Sequence, residues 1–505
     1  MILTAALNIT SSGQDTESIS DERTKMKTLI QGGYVVAFDG KEHEIIKDGV
    51  VVFNGNQIEV VDKEYAQPVD KKIDARGCLV SPGFIDTHFH SGINASDYML
   101  NDSTKTDFFA SNYLAHGGPT REGAHSAHLK DVDVGQRFSV IHVLKSGVTT
   151  TFDIGGPGGE PQQYVDMVDQ VGIRCVAGPS YKNVSFFHDR DGRLEYDWND
   201  ERGSEGLKKA VEFAKKFNGA CNGRMTTMLF PGHVDSCTPQ LLKETKKAAK
   251  DAGVRIQIHA TINLFEFHTV MQRERCTPIE LLKKIGFLDP LVSLSHCIFI
   301  SGHSWLSYPY GDDLKIIADS GASVAYSPLK YLKLGILMES FDKYRQAGIN
   351  MGIGTDTFPK DILSDMRYAA IASRVADKSF LSGHPRDVFN AITLGGAKML
   401  GRDDLGKLAR GAKADITIVD LRSIAFGAVR DPIRSLMETG VSRDVRTVIV
   451  DGEMLVDNGK YLRLNEDELL EKVQVKGEQV WNSVPKWHWT GKSIDEVVPP
   501  SFRIK

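Results

Sequence analysis

The sequence predicts an α/β chain: a (β/α)8 TIM barrel with a composite β-sandwich domain formed by both chain ends. Three observations carry that prediction. Short apolar runs alternate with longer amphipathic stretches between about residues 84 and 402, which is the pattern of repeated βα units and a parallel sheet. There are eight such apolar runs, the number that closes a barrel. β-Branched runs cut by Gly, Asn and Asp flank this region on both sides, the signature of strands joined by tight turns. No G-x-G-x-x-G follows the first inner strand, which argues against a dinucleotide-binding sheet.

In chain order, residues 1–26 are rich in Ser, Thr and Asp and are expected to form a poorly ordered arm. Residues 27–83 hold TLIQGGYVVAFDG, GVVVFNGNQIEVVD and KKIDARGCLVSPG, read as strands and turns of the small domain. The barrel is expected over 84–402, with strands at FIDTHFH (84–90), VTTTFDIG (148–155), RCVAGPSY (174–181), RMTTMLF (224–230), RIQIHA (255–260), VSLSHC (292–297), ASVAYSP (322–328) and MGIGTD (351–356). Between them lie helical runs such as PIELLKKIG and PQLLKETKKAAKDAG, the second with Gly253 where a C-terminal cap belongs. From 403 to 460, LARGAKADITIVDL and VRTVIVDGEMLVDNGKYL return to strand and turn, with Asp-Gly and Asn-Gly hairpin signals, and complete the small domain. The tail 461–505 begins helical and ends irregular. Trp481, Trp487 and Trp489 predict that it packs on its own barrel or on a neighbouring subunit.

Bulk properties exclude several classes. With 41% hydrophobic and 25% charged residues the chain has globular composition. The net charge of −5 and the lack of a long basic run leave no nucleic-acid surface. No apolar run approaches the roughly 18 residues of a membrane span. The start MILTAALNIT lacks the charged and apolar regions of a signal peptide. Six scattered cysteines without a C-x-x-C pair give neither a disulfide framework nor a cysteine zinc site. The expectation is a cytoplasmic protein that acts on a small molecule and contacts neither nucleic acid nor membrane.

Chemistry concentrates at strand ends. His88-x-His90 puts two imidazoles on one side of an extended strand. His259, His296 and Asp356 end three further strands. In a barrel these ends share one mouth, where barrel enzymes place their chemistry. Five such groups buried together without a cation would leave polar atoms unpaired at high cost. A metal site is therefore expected.

These motifs resemble the amidohydrolase superfamily, in the branch of S-adenosylhomocysteine, guanine and cytosine deaminases and triazine hydrolases. The resemblance runs over about residues 27–460 through SPGFIDTHFH, SGVTTTFD, IQIHA, LSHC, AYSPLKYLKLG, GIGTDT and LGKLARGAKADITIVDL. It implies one divalent metal, zinc first, with iron, manganese or cobalt as alternatives. The implied ligands are His88, His90, His259 and Asp356, with His296 approaching the metal or the substrate. It implies a homo-oligomer as well. A bound cation brings the pKa of its water towards about 7. Asp356 can take and return a proton, and His296 can donate to a developing oxyanion or a ring nitrogen.

The chain departs from these relatives in two places. The deaminases carry H-x-x-E on strand five; here the run is His259-Ala260-Thr261-Ile262, so Ile262 stands where the Glu would be. Glu266 lies seven residues after His259, and two straight helical turns would carry it about 10 Å away, as an exposed helix residue. On strand seven, Tyr326-Ser327-Pro328-Leu329-Lys330-Tyr331 replaces the usual H-x-P-x-S-N, which marks Tyr326 and Lys330, with His296, as substrate contacts. Relatives with two metals carry a carboxylated Lys at the end of strand four. RMTTMLF has none and Lys182 is the nearest candidate, so one ion is expected. Residues 91–135, with Tyr98, Phe108, Phe109, Tyr113, His116, His125 and His128, read as a substrate-covering or subunit-contact loop. With the Glu absent, hydrolysis of a non-peptide amide, urea or carbamate C–N bond is the expected reaction. Deamination or dechlorination of a heteroaromatic ring is the alternative.

Overall fold

The computed structural model describes residues 26–94, 131–188, 194–487 and 490–503. The expected N-terminal arm (Met26 apart), Trp489, and Tyr98, Phe108, Phe109, Tyr113, His116, His125 and His128 lie outside the described residues.

Eight parallel strands form the barrel, in chain order Phe84–Phe89, Val148–Ile154, Arg174–Gly178, Met225–Pro231, Arg255–Ala260, Val292–His296, Ser323–Tyr326 and Met351–Ile353. Each pairs with its sequence neighbour, as in Ile258 opposite Leu294 and Val324 opposite Met351. The expected third strand divides at Pro179: Ser180–Tyr181 pairs with Phe230–Pro231, beyond the part that Arg174–Gly178 contacts. First and last strands meet at the mouth, where Asp356 N–H donates to His88 O (2.8 Å) and His90 N–H donates to Asp356 O (3.1 Å). Strands such as Val148–Ile154 are buried along their whole length, because helices cover the outside and side chains fill the inside. The inner filling is apolar low in the barrel, with Ile85, Phe152, Val176, Met228 and Ala325 in one cluster.

The helices follow their sequence signals. Pro239–Ala252 starts at Thr238, whose hydroxyl accepts from Leu241 N–H (3.2 Å), and ends at Gly253 with φ of 65°, the left-handed conformation that glycine adopts without strain. Its Leu241, Leu242 and Ala249 are buried against the barrel, each Leu worth about 1.5–3 kcal/mol. Pro278–Lys284 starts with a reciprocal Thr277–Glu280 capping box.

The two chain ends build one mixed sheet of nine strands. Ile416–Asp420 pairs antiparallel with Cys78–Pro82, which joins the two ends. Ile58 N–H donates to Ala412 O and Ala414 N–H donates to Asn56 O, both 2.9 Å, so the sheet bends back on a core of its own containing Ile30, Val51, Phe53, Ile416, Ile418 and Ile449. The Asp451-Gly452 and Asn458-Gly459 turns all have positive φ, as two-residue hairpins require. The tail helix Glu466–Trp487 lies on its own barrel, tied by Lys145 to Glu466 and by Lys476 to Asp131 (3.3 Å). Trp487 packs with Val484 in a small core.

Arg174 joins the two layers. It opens the third barrel strand, is 1% exposed, and meets Asp415 through Nε (2.9 Å) and Asp451 (3.0 Å) in the small domain. Removing one partner of a buried ion network strands the other charges. Arg174→Ala is therefore expected to lower unfolding stability by about 3–5 kcal/mol in denaturant titration. A loss below about 1 kcal/mol would place this network with exposed ion pairs in strength.

Candidate metal centre

The site grows out of strand periodicity and two sharp turns. Asp86, His88 and His90 alternate along one edge of the barrel, as do Gln257 and His259. His296 and Asp356 do not follow from alternation. Ser293 and Ser295 face inward, bonding Gln257 Nε2 (3.0 Å) and His88 Nδ1 (2.9 Å), so the next residue should face out. His296 has φ of 80° and Cys297 has φ of 47°, and this turn brings the imidazole back to the mouth. Asp356 has φ of 55°. Positive φ is unfavourable for residues other than glycine by about 1–3 kcal/mol. The bonds from Cys297 N–H to Ala260 O (3.0 Å) and from Asp356 N–H to His88 O hold the two turns.

These turns gather five side chains. Asp356 Oδ2 lies 3.8 Å from His88 Nε2 and 3.6 Å from His296 Nε2, and Oδ1 lies 3.7 Å from His90 Nε2. His259 Nε2 is 3.3 Å from His90 Nε2. The donor atoms of His88, His90 and Asp356, and those of His88, His259 and His296, are each within 4.8 Å of one another. His88, His296 and Asp356 are fully buried. The outer ring nitrogens are engaged: Nδ1 of His88 with Gln257 Oε1 (3.2 Å), of His90 with Ile154 O (3.0 Å) and of His259 with Gly232 O (2.8 Å). Each Nδ1–H donated to an oxygen leaves an Nε2 lone pair facing the centre, the arrangement that orients a metal-ligating histidine. His88 Nε2, both His296 nitrogens and Asp356 Oδ1 lack a hydrogen-bond partner, and Asp356 Oδ2 is met by the Lys330 ammonium. Buried polar atoms left this way point to a cation. The donor set, nitrogens plus one carboxylate, fits a divalent metal.

Electrostatics agree with this fit. Burial lowers His88 to about 4 against the pull of Asp356, and burial with His88 nearby lowers His259 to about 3. His90 and His296 are also held well below the usual range by burial. All four imidazoles are therefore neutral ligands at pH 7. Burial alone would raise the Asp356 carboxyl, but the Lys330 ammonium 2.8 Å from Oδ2 and the surrounding imidazoles hold it well below the carboxylate range.

Of the residues singled out in the sequence, His88, His90, His259, His296, Asp356 and Lys330 converge here. Tyr326 does not. Ser295 pairs with Ala325, so Ala325 shares the inward face and the Tyr326 ring points into the strand–helix core, 1% exposed. Its placement as a substrate contact is corrected by that alternation. Glu266 is also corrected. The helix after strand five begins only at Leu264, so Glu266 occupies its first turn and its carboxylate folds back to accept Ile262 N–H at 2.8 Å. It is fully buried, not exposed.

Sequence reading missed several supports. Lys360 is buried and donates from Nζ to His90 O (3.0 Å) and to Asp356 O, fixing the backbone behind two site residues. Asp86 accepts from His88 N–H (3.1 Å) and Thr355 Oγ1 (2.6 Å), and burial raises it to about 7. Asp86 and Gln257 stand two residues before His88 and His259, and that same-face spacing was the available signal. A cavity of about 650 Å³ opens beside His90, lined also by Gln136, Gly156 and Gln163.

Comparison with known proteins places this geometry. The amidohydrolase family matches residues 79–455. A 5'-deoxyadenosine deaminase of Methanosarcina barkeri is 28% identical over 90% of this chain and 98% of its own length. A 5-methylthioadenosine/S-adenosylhomocysteine deaminase of Archaeoglobus fulgidus is 30% identical over 83% of this chain and 92% of its own. Among solved structures, a zinc-complexed atrazine chlorohydrolase of Arthrobacter aurescens shares the fold, with a TM-score of 0.75, 22% identity, and coverage of 89% of this chain and 100% of that one. Since the family match spans most of the sequence and takes in every one of the converging side chains, the chain belongs to the amidohydrolase family.

Proposed function

We propose that this chain is a metal-dependent hydrolase of non-peptide carbon–nitrogen bonds, with His88, His90, His259 and Asp356 holding one zinc ion. The observation that supports it most is the set of buried, unpartnered donor atoms facing one point. A divalent cation bound there supplies an activated water near neutral pH and polarises the substrate. Asp356 is placed to receive a proton from the attacking water and return it. His296 and Lys330 face the same space and stabilise negative charge developing on the substrate. The cavity beside His90 falls in the size range of small-molecule sites.

Two substrate classes follow. Amides, ureas and carbamates fit a centre whose position 262 carries no acid. Aminated or chlorinated heteroaromatic rings are favoured by the names of the deaminase relatives and by the buried Glu266 near position 262. Hydrolysis of both panels by zinc-reconstituted protein decides between them. Asp356→Asn and His88→Ala are expected to lose bound metal and at least about 10³-fold in kcat/KM. Full activity in a metal-free Asp356→Asn protein would sink the hydrolase reading.

Neutral imidazoles also set a pH response. In the unfolded chain histidines take protons below about pH 6.5, whereas native His88 stays neutral to about 4. The unfolded state binds more protons in that window, so the stability of the metal-free protein falls as pH drops from about 6.5 to 4. Denaturant midpoints at pH 7 and pH 5 check this, and an unchanged or higher midpoint at pH 5 contradicts it.

No helix among the described residues is long and apolar enough to cross a membrane. We place the protein in the cytoplasm as a homo-oligomer. Tyr368, Ile371 and Val375 form an exposed stripe on the helix Ile362–Asp377, continued by Phe380 and Leu381 at 85% and 71% exposure. An apolar patch of this kind marks a protein contact. Val375→Glu with Phe380→Glu is expected to reduce the solution mass to that of one chain in light scattering. A parent already monomeric refutes the oligomer.

A further inference from the structure

The end of strand seven puts a cation inside the metal centre. Lys330 Nζ lies 2.8 Å from Asp356 Oδ2, and His296 Nε2 lies 3.6 Å from the same oxygen. Lys330 is 8% exposed, while His296 and Asp356 are fully buried. The Tyr331 ring stands against both side chains: its centroid is 5.3 Å from Lys330 Nζ and 4.9 Å from the His296 ring centroid. Among the described residues, Asp356 is the one carboxylate in ion-pair contact with Lys330. The other buried acids nearby are bound elsewhere. Glu266 accepts Ile262 N–H (2.8 Å), Asp235 accepts from Tyr196 Oη (3.1 Å), Asp365 accepts Leu329 N–H (3.0 Å) and Asp86 accepts from Thr355 Oγ1 (2.6 Å).

A lysine that served only Asp356 would form a balanced, closed ion pair. Asp356 cannot serve Lys330 alone. The same carboxylate faces the Nε2 atoms of three imidazoles at 3.6–3.8 Å and is the one acid among the converging ligand groups. With a divalent ion held there, three positive charges stand against a single carboxylate, and neutral imidazoles offset none of them. Buried charge without a counter-charge is costly. An ammonium carries three N–H donors and no acceptor, so Lys330 can keep Asp356 Oδ2 and still donate into the mouth. The Tyr331 hydroxyl and the His296 ring, neither with a hydrogen-bond partner, add one donor each on this side. The strand-seven side of the mouth is thus rich in donors and short of an anion.

We propose that Lys330 selects an anionic substrate by pairing with a carboxylate beside the scissile bond. The inference rests on the hydrolase reading and narrows its substrate class. The carboxylate must lie close to the reacting carbon, because Lys330 Nζ is one hydrogen bond from an oxygen of a metal-facing residue. N-acyl and N-carbamoyl amino acids have that arrangement: their carboxylate sits on the carbon bonded to the scissile nitrogen. The corresponding carboxamide is uncharged and leaves the Lys330 ammonium unanswered. The usual motif carries an uncharged Ser-Asn pair where this chain has Lys330-Tyr331, so the selection belongs to this chain's own strand-seven end.

The test uses zinc-loaded parent, Lys330→Met and Lys330→Arg, with metal content measured in each. N-acetyl and N-carbamoyl derivatives of glycine, leucine and phenylalanine are compared with the matching amino acid amides. In the parent, kcat/KM is expected to favour the carboxylates by about 10–100-fold, the worth of a hydrogen bond to a charged group. Lys330→Met brings the two within about 3-fold, chiefly by raising KM for the carboxylates, and Lys330→Arg restores the preference. Calorimetry with 4-oxopentanoate, in which a methylene replaces the scissile nitrogen of N-acetylglycine, reads binding without turnover. Parent and Lys330→Arg are expected to bind it about 10–100-fold more tightly than 4-oxopentanamide, and Lys330→Met to bind both alike. Equal binding, or none, of the two probes by the parent overturns the proposal, as does a carboxylate preference that survives in Lys330→Met. Should Lys330→Met lose zinc or fail to fold, Lys330→Gln makes the same comparison. A parent that prefers 4-oxopentanoate yet turns over no substrate counts against the hydrolase reading alone. Turnover of neutral substrates without a carboxylate preference counts against this inference alone.

Discussion

Asp356 is the residue on which the rest of the site depends. Its backbone closes the barrel, donating to His88 O and accepting from His90 N–H. Its side chain stands within 3.8 Å of Nε2 in His88, His90 and His296. Barrel closure and the metal site are thus one construction. The first strand cannot slip against the last without moving two imidazoles relative to the carboxylate. A positive φ of 55° at Asp356 makes both contacts possible, and the Lys360 ammonium on its carbonyl holds that turn from behind.

Charge is arranged in layers around this residue. Neutral imidazoles and one carboxylate form the centre, while the Lys330 ammonium approaches the carboxylate from the mouth. Lys360 binds the backbone carbonyls of His90 and Asp356. The carboxyl groups of Asp86, Asp235 and Glu266 lie further out, and burial raises all three. The centre keeps a single ionised carboxylate because Lys330 and the imidazoles outweigh the effect of its burial. The outer acids lack an equally close cation and retain protons more readily. The same burial therefore yields a charged ligand at Asp356 and proton-holding groups around it.

The strand pattern made most of this legible in the sequence. Period-two alternation placed His88 with His90 on one face, and βα repetition brought His259, His296 and Asp356 to one mouth. The Asp-Gly and Asn-Gly pairs announced the hairpins of the small sheet. What stayed hidden depends on single backbone angles. Nothing in VSLSHC shows that His296 takes φ of 80° and turns inward after two inward-facing serines. Tyr326 misled because it lies at the end of its strand like the histidines, yet lacks such a turn and keeps the outward face that alternation gives it.

Glu266 shows how the same limit affects chemistry. Counting residues from His259 along a straight helix puts the carboxyl far from the site. The chain instead leaves the strand through Thr261, with φ of 51°, and starts its helix at Leu264 after the Asn263 cap. Asn263 Oδ1 accepts Glu266 N–H at 2.7 Å, and Glu266 reaches back to Ile262 N–H. A glutamate in the first turn of a helix commonly satisfies backbone donors ahead of it. Here that ordinary capping geometry sets a buried acid beside position 262. An apolar side chain at position 262 therefore does not leave this side of the barrel mouth without a carboxyl group.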